Sequence, residues 1–485
     1  SNYQIGTTAS VSATISNDDV PAPPPVPLAR SVDRERLSVT AFATGLGFPS
    51  SMVDLGDGAI LAATTLGDPA NRYSPYGSTA SHLIRLADCD GDGISDSRQT
   101  LASLPGFVTS LSKVGAFIFA LSTARKTDPS ITVFRSGVLS SDPLIEVGRL
   151  QFSFPAAFMA GNDPHTTYAL TARQSPNDPT AIELYFNLGS SHENQATDPA
   201  IKIGLSTSGA IEAVTGLMPA DSIQRVVIKE QGQHLTVSQP QTIATGLRNS
   251  AGLSFDRNGN LLLTDNGFSI NPDDPSTTKN LDISFSADEL NQIPADQIGA
   301  SIPDFGFGHT YTRYSDGQTI RPSPEYQQPL LSFLPINGMK SEGIVQIAEA
   351  PAGFPSDYSQ TVFAAFYGKS GVGTAKNDEN PIVAANPNSG QYAHFINSSL
   401  LGNPGGLLSA EGSMFIADYS SAGIFYGSPN GYPSDLSGVI YRVAPQHASS
   451  FLSLPSLNIQ KSQQVSLNWI TDQDVISVLQ LWGGG

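Results

Sequence analysis

The stretch ATGLRNSAGLSFDRNGNLLLTDNG, residues 244–267, carries the clearest structural signal in this chain. It contains a short apolar segment around Leu253, a turn rich in Asp, Asn and Gly at 256–260, and a second apolar segment from Leu261. Two apolar segments joined by such a turn are typical of two antiparallel strands. The second segment is apolar without alternation, which is typical of a strand covered on both faces. The stretch therefore predicts a β-sheet that packs between two neighbouring layers.

The same unit recurs along the chain, beginning near residues 43, 101, 165, 244, 341 and 402. Irregular spacing with a preserved core unit is typical of propeller blades that carry loop insertions. Six instances predict six blades. We therefore expect an all-β protein, a six-bladed β-propeller over residues 37–445 with an N-terminal β-strand and linker extension.

The composition agrees with an all-β protein that has many short loops. The 485 residues include 45 Gly and 35 Pro, only 14% are charged, and 39% are hydrophobic. Turn formers at this frequency suit short strands better than helices. The best helix candidate is short, from Ser286 to Ile293, with Ser286 as N-cap and Asp288 and Glu289 in the first turn.

The charge balance limits the classes of partner. The chain has 43 acidic and 25 basic residues and a formal net charge of −18, which disfavours nucleic-acid binding. Acidic residues keep a protein soluble, and where they cluster they can hold calcium. The single cysteine, Cys89, allows neither an intrachain disulfide nor a thiolate zinc site. No apolar run approaches the roughly 20 residues that a membrane span requires.

The two ends of the chain differ from its centre. Residues 1–20 alternate apolar and polar positions and end in NDD, which resembles the last strand of a Calx-β module, although a generic edge strand has the same pattern. Residues 21–36 begin with PAPPPVP and form a Pro-rich, semi-rigid linker. Residues 446–485 form a polar C-terminal extension. The chain begins within a strand pattern, as a fragment of a longer precursor would.

A separate motif, DCDGDGISD at 88–96, carries the sharpest metal signal. Its aspartates occupy positions 1, 3, 5 and 9 of an EF-hand-type loop, and hard oxygen ligands at this density select calcium. The predicted ligands are the side chains of Asp88, Asp90, Asp92 and Asp96 and the carbonyl of Ile94. Gln99 replaces the usual acid at position 12, so water or a distant residue must complete the shell. The alternative is a solvated acidic turn.

Several motifs, in order, resemble the soluble quinoprotein glucose and sorbosone dehydrogenases, a family of six-bladed propellers that depend on pyrroloquinoline quinone (PQQ). The family blade GLRNPxGLxFDPxGxLWxTDxG…DDELN is matched at 246–267 and 288–291, with Ser250 in place of the proline. ATGLGFPSSM at 43–52, ELYFNLGSSHENQ at 183–195 and SGVIYRV at 437–443 resemble other landmarks. The resemblance covers about 37–445.

The resemblance implies a set of site residues. His165, in DPHTTYAL, would be the general base, and Arg248 would lie over PQQ and stabilise charge on its quinone oxygens. Asn249 would also contact the cofactor. The main chain at Gly267 and Phe268 would lie near an active-site calcium. A neutral imidazole suits removal of a hydroxyl proton near pH 7.

The sequence also departs from the family pattern. Asn403 stands where the last blade usually has an arginine for the cofactor carboxylates, and Tyr168 replaces another arginine. An amide does not replace a bidentate guanidinium. Lys340, Lys369 and Arg313 are candidate substitutes.

Three hypotheses follow. The first is a PQQ- and calcium-dependent oxidoreductase that oxidises sugars or other alcohols outside the cytoplasm, at the cell surface, in the extracellular space or in the periplasm. The second is a non-catalytic, calcium-stabilised propeller that serves as a structural or adhesion domain of a larger exported protein and contacts other surface proteins. The third is a lactonase-type propeller with a central calcium and no quinone.

Overall fold

The computed structural model of the chain describes residues 36–66, 78–124, 127–272, 284–334, 343–367, 382–396, 401, 403–419 and 438–446. The Calx-β-like strand at 1–20, the linker at 21–36 apart from Arg36, and the extension at 446–485 apart from Gln446 lie outside these residues.

The described residues are almost entirely β-strands. The strands of the first half are β1 (Leu37–Ala43), β2 (Phe48–Asp54), β3 (Ala59–Thr65), β4 (Ala80–Ala87), β5 (Ser97–Pro105), β6 (Phe107–Val114), β7 (Phe117–Ala124), β8 (Thr127–Arg135), β9 (Ile145–Ser153), β10 (Leu170–Ser175), β11 (Asp178–Leu188), β12 (Lys202–Gly209), β13 (Thr215–Pro219), β14 (Ser222–Gln231), β15 (His234–Val237) and β16 (Gln241–Thr245). The strands of the second half are β17 (Leu253–Phe255), β18 (Leu261–Asp265), β19 (Asp288–Ile293), β20 (Tyr311–Thr312), β21 (Thr319–Ile320), β22 (Leu331–Phe333), β23 (Ile344–Glu349), β24 (Val362–Phe366), β25 (Ile382–Asn386), β26 (Gln391–Ile396), β27 (Pro404–Ala410), β28 (Ser413–Asp418) and β29 (Val439–Pro445).

Helical structure in the described segments consists of α1 (Ala156–Met159) and a 3-10 turn at Ser356–Tyr358. No helix in these segments combines the length and apolar character that crossing a membrane requires.

Six antiparallel sheets form the blades of a propeller, as the sequence predicts. Blade 1 has the order β2-β3-β4-β5, blade 2 β6-β7-β8-β9-β12-β13, and blade 3 β10-β11-β14-β15 with β16 added beside β14. Blade 4 has the order β17-β18-β19-β22, blade 5 β23-β24-β25-β26, and blade 6 β27-β28-β29-β1. The first strand of each order contacts the first strands of both neighbouring blades, so these six strands surround the centre of the ring.

The ring closes through its first strand. β1 pairs antiparallel with β29, from Leu37 opposite Pro445 to Ala43 opposite Ile440. The chain therefore completes its last blade with the strand that it formed first.

Separate apolar clusters hold each pair of neighbouring blades together. β3 is buried at all 7 of its positions and β18 at all 5, because each of these strands packs between two blades. Unbroken apolar runs therefore became strands covered on both faces, as expected from the sequence.

The helix predicted from Ser286 to Ile293 is wrong. Asp288–Ile293 is the strand β19, which pairs with β18 on one side and with β22 on the other. The Ser286 hydroxyl accepts a hydrogen bond from Phe268 N at 2.8 Å, so it caps a loop and not a helix. Pairing on both edges outweighs the local helix signal, because a weak propensity yields to tertiary contacts.

Candidate functional site

A cavity of about 310 Å³ lies at the centre of the ring. Its described walls come from residues in or next to the inner strands of blades 2 to 6. The aromatic and polar side chains that line it are Phe107, Tyr168, Tyr367, Tyr419, Thr109, His165, Asn249 and Asn266. None of the described lining residues is an arginine or a lysine. The wall therefore offers flat aromatic surfaces, amide groups and one imidazole.

Main-chain contacts place His165 on this wall. His165 N donates to Ser190 O at 2.7 Å, and Gly189 N donates to Thr166 O at 3.0 Å. A Cβ at Gly189 would lie 2.7 Å from His165 Cβ and 2.9 Å from Arg248 O, so only glycine fits between the two loops. The LGS turn of blade 3 thus brings the loops of His165 and Arg248 together.

The carboxylate of Asp163 lies next to the imidazole of His165. Its Oδ2 is 3.7 Å from His165 Nε2, and both side chains are mostly buried. A carboxylate at this distance stabilises a protonated imidazole by charge. The sequence prediction did not include Asp163, although its position two residues before His165 was a usable signal.

Arg248 is buried, with 5% of its surface exposed. Its NH2 donates to Asp163 Oδ2 at 2.8 Å and to Glu193 Oε2 at 2.5 Å. Its Nε donates to Glu193 O at 2.8 Å, and its NH1 donates to Gly267 O at 3.0 Å and to Asn266 O at 3.5 Å. Glu193, in the SSHENQ turn, is a second site residue that the sequence prediction missed. Asp163 therefore lies between the imidazole and the guanidinium.

Asp265, at the end of β18, holds the GLRN turn in place through hydrogen bonds to its main chain. The carboxylate of Asp265 accepts hydrogen bonds from Arg248 N at 3.0 Å and from Asn249 N at 2.7 Å. Burial raises the pKa of Asp265 to about 7. Asn249 lines the cavity, and its Oδ1 is buried without a described hydrogen-bond donor.

Gly267 and Phe268 follow β18, and the main chain of Gly267 contacts Arg248. The Gly267 carbonyl accepts from Arg248, and the Phe268 carbonyl accepts from Phe285 N at 2.7 Å and from Ser286 N at 3.1 Å. A Cβ at Gly267 would lie 2.2 Å from Ser286 O, so glycine is required there. The structure thus gathers the residues that the resemblance implies into one neighbourhood.

The two residues that depart from the family pattern, Tyr168 and Asn403, differ in whether they line the cavity. Tyr168 lines the cavity. Asn403 is fully buried, and its Nδ2 donates to Tyr367 O at 2.8 Å. Among the candidate substitute cations, Lys340 and Lys369 lie outside the described residues, and Arg313 pairs with Asp316.

The predicted calcium loop lies between β4 and β5, away from the central cavity. Carboxylate oxygens of Asp88, Asp90 and Asp96 lie within 4.8 Å of one another, close enough to share one ion. The Asp92 carboxylate accepts a hydrogen bond from Ile94 N at 2.7 Å. Burial, together with the charges of its neighbouring aspartates, raises the pKa of Asp92. Excess negative charge of this kind is relieved by a bound cation.

The loop also contacts the strands that close the ring. Arg442 of β29 pairs with Asp88, with NH1 3.2 Å from Oδ2. Thr40 Oγ1 of β1 donates to Gly93 O at 3.2 Å, and Ser95 N donates to Phe42 O at 2.7 Å. The aspartate loop of blade 1 is therefore attached to blade 6.

No family model matches the chain, and no curated protein matches it. Solved structures do. The holo form of the pyranose dehydrogenase PQQ domain from Coprinopsis cinerea is 14% identical, with a TM-score of 0.53 over 87% of this chain and 98% of that one. The calcium structure of the Trichoderma reesei Carbohydrate-Active Enzymes Family AA12 protein is 15% identical, with a TM-score of 0.51 over 87% and 97%. The chain therefore shares the six-bladed propeller fold of PQQ-dependent sugar dehydrogenases, and the resemblance read from its motifs is confirmed at the level of the fold.

Proposed function

We propose that this chain is an oxidoreductase of the soluble sugar dehydrogenase type, which oxidises sugars or other alcohols outside the cytoplasm with PQQ and calcium. The observation that carries the proposal is His165 on the wall of the central cavity, with Asp163 Oδ2 3.7 Å from its Nε2. Both similar solved structures are named for PQQ or for carbohydrate-active enzymes. The aspartate loop supports a location outside the cytoplasm, where sites of modest calcium affinity are filled.

His165 would act as general base. The alcohol hydroxyl gives its proton to the imidazole, and the charge of Asp163 stabilises the imidazolium that forms. Arg248 adds a fixed positive charge next to Asp163, which limits how strongly the carboxylate attracts that proton. When bound, PQQ supplies the acceptor for the hydride that the alcohol carbon gives up.

The described lining of the cavity suits the planar ring system of PQQ but offers no cation for its carboxylates. Phe107, Tyr168, Tyr367 and Tyr419 offer aromatic faces for a planar ring system, and Asn249 offers an amide. The three carboxylates of PQQ call for cations, and the described lining contains none. The first experiment therefore addresses the cofactor.

PQQ is titrated into calcium-loaded protein by calorimetry. We expect micromolar binding that the cavity-filling variant Ala251→Phe abolishes. Val138→Phe, which places the same side chain at a residue 99% exposed, should bind as the wild type does. With PQQ bound, His165→Gln should lower dye-linked sugar oxidation about 10²–10⁴-fold while PQQ still binds.

The second candidate function is the non-catalytic, calcium-stabilised structural or adhesion propeller. It is favoured by the absence of arginine and lysine from the described cavity wall and by Asn403, which is turned to Tyr367 O. No heat on PQQ addition, with an intact fold that calcium still stabilises, would support this function and contradict the oxidoreductase.

A further inference from the structure

The guanidinium of Arg248 is enclosed by a cage of five oxygen atoms. Two are carboxylate oxygens, Asp163 Oδ2 at 2.8 Å and Glu193 Oε2 at 2.5 Å. Three are main-chain carbonyls, those of Glu193 at 2.8 Å, Gly267 at 3.0 Å and Asn266 at 3.5 Å. We name these five atoms the oxygen cage.

The cage engages every donor of the side chain. A guanidinium has five N–H groups, and the five contacts account for one from Nε, two from NH1 and two from NH2. Arg248 is also absent from the described residues that line the central cavity. The positive charge of Arg248 therefore faces the oxygen cage and not the central cavity.

The cage has the donor set of a calcium site. Calcium takes six to eight oxygen ligands from carboxylates, main-chain carbonyls and water. The cage supplies five such oxygens, and two of them belong to the carboxylates of Asp163 and Glu193, which pair with Arg248.

We propose that the Arg248 guanidinium is a built-in cation that takes the place of a calcium ion in the oxygen cage. The family resemblance assigns the carbonyls of Gly267 and Phe268 to an active-site calcium. Here the Gly267 carbonyl faces the guanidinium, and the Phe268 carbonyl accepts from Phe285 N and Ser286 N. Arg248 is then a positioning residue that holds Asp163 next to His165, and the wild-type cage needs no metal. The calcium of the proposed function is then the ion of the aspartate loop. This inference rests on the same site as the proposed function.

The test is calcium binding, measured by calorimetry and by terbium luminescence without PQQ. The background carries Asp88→Asn and Asp90→Asn, which remove the loop site. With Arg248 intact, this protein should bind no calcium. Adding Arg248→Ala should create one site with a Kd of about 1 mM or below, and calcium should raise the melting temperature by about 5 °C.

Two controls separate metal binding from general loss of a buried cation. Arg225→Ala removes another arginine that pairs with a mostly buried carboxylate, Glu183 Oε1 at 3.3 Å, and should create no site. Arg248→Lys keeps a positive charge and should also bind no calcium. Arg248→Gln tests the cage without charge if the alanine variant unfolds in calcium-free buffer, and it too should gain one site.

The proposal is overturned if the loop-neutralised protein with Arg248 intact binds calcium at a site that Glu193→Gln removes. It is also overturned if folded Arg248→Ala and Arg248→Gln bind none, or if neither variant folds with calcium present. Because PQQ is absent from these measurements, failure of the proposed cofactor would leave their outcome unchanged.

Discussion

At the scale of single residues, two acids near the GLRN turn, the buried Asp265 and the half-buried Glu289, have raised pKa values. Asp265 and Glu289 line one small cavity of about 30 Å³, which Gly267 also lines. Burial raises the pKa of Asp265 to about 7. Burial and the charge of Asp265 raise the pKa of Glu289 to about 8. Both acids therefore take up protons on folding at pH values where the unfolded chain has lost them.

We predict that the free energy of unfolding falls as the pH rises. Raised pKa values contribute stability that is fully present below the unfolded values, near 4, and is lost as the pH passes 7 and 8. Each group contributes a slope of at most about 1.4 kcal/mol per pH unit. Glu289→Gln should flatten the slope and be more stable than wild type at pH 8.5.

Urea unfolding from pH 5 to 8.5 in calcium-free buffer measures this slope. Glu325→Gln, the same change at an exposed residue, should leave it unchanged. An equally steep slope in Glu289→Gln would show that another group carries the pH dependence.

At the scale of elements, the aspartate loop connects blade 1 to the strands that close the ring. Its contacts reach β1 through Thr40 and β29 through Arg442. An ion held by Asp88, Asp90 and Asp96 would order the loop and, with it, these contacts. Calcium would thus stabilise the closure of the propeller, apart from any role in the cavity.

We predict that chelation of calcium lowers the melting temperature by several degrees and that Asp90→Asn removes most of this difference. The reason is mass action, since a ligand that binds only the folded chain stabilises it by about 2.7 kcal/mol at 100 times its Kd. Scanning calorimetry with and without EDTA measures the effect. The matched variant Asp198→Asn, at an exposed residue outside the loop, should respond to EDTA as wild type does. An unchanged melting temperature in wild type would indicate a solvated turn.

At the scale of the whole molecule, stability depends on contacts between segments that are distant in sequence. Phe42 of β1 packs edge-on against Phe415 of β28 within blade 6, with ring centroids 5.0 Å apart. Both rings belong to the apolar cluster that blade 6 shares with blade 1, which we call the seam. The seam therefore joins the first strand of the described chain to one of the last.

We predict that Phe42→Ala lowers the free energy of unfolding by about 3–5 kcal/mol, because Phe42 is 2% exposed and its loss leaves a cavity in the seam. Unfolding should remain a single transition, since opening one seam exposes the cores of both neighbouring blades. Denaturant unfolding followed by fluorescence and by circular dichroism checks both points. Val138→Ala, at an exposed residue, should cost almost nothing, and two separate transitions would contradict cooperative closure.

Local patterns in the sequence were enough to predict the blades and the aspartate loop. Repeated pairs of apolar segments predicted the six blades, and the spacing of the aspartates predicted a loop in which the carboxylates of Asp88, Asp90 and Asp96 lie close together. Both signals are local, because strand alternation and loop geometry depend on near neighbours in the chain; calcium in the loop stays a prediction. The segment at 286–293 was an exception, since its acidic start mimics a helix while its pairing partners β18 and β22 decide for a strand.

The contacts of the site residues, in contrast, depend on how the blades pack. Arg248 contacts Asp163 from 85 positions away and Glu193 from 55, and no local pattern predicts either pairing. In the same packing, Asn403 Nδ2 donates a hydrogen bond to the Tyr367 carbonyl. The described cavity wall contains neither arginine nor lysine. The physical reason is that the site is built from loops of separate blades, so its charges are brought together only when the ring closes.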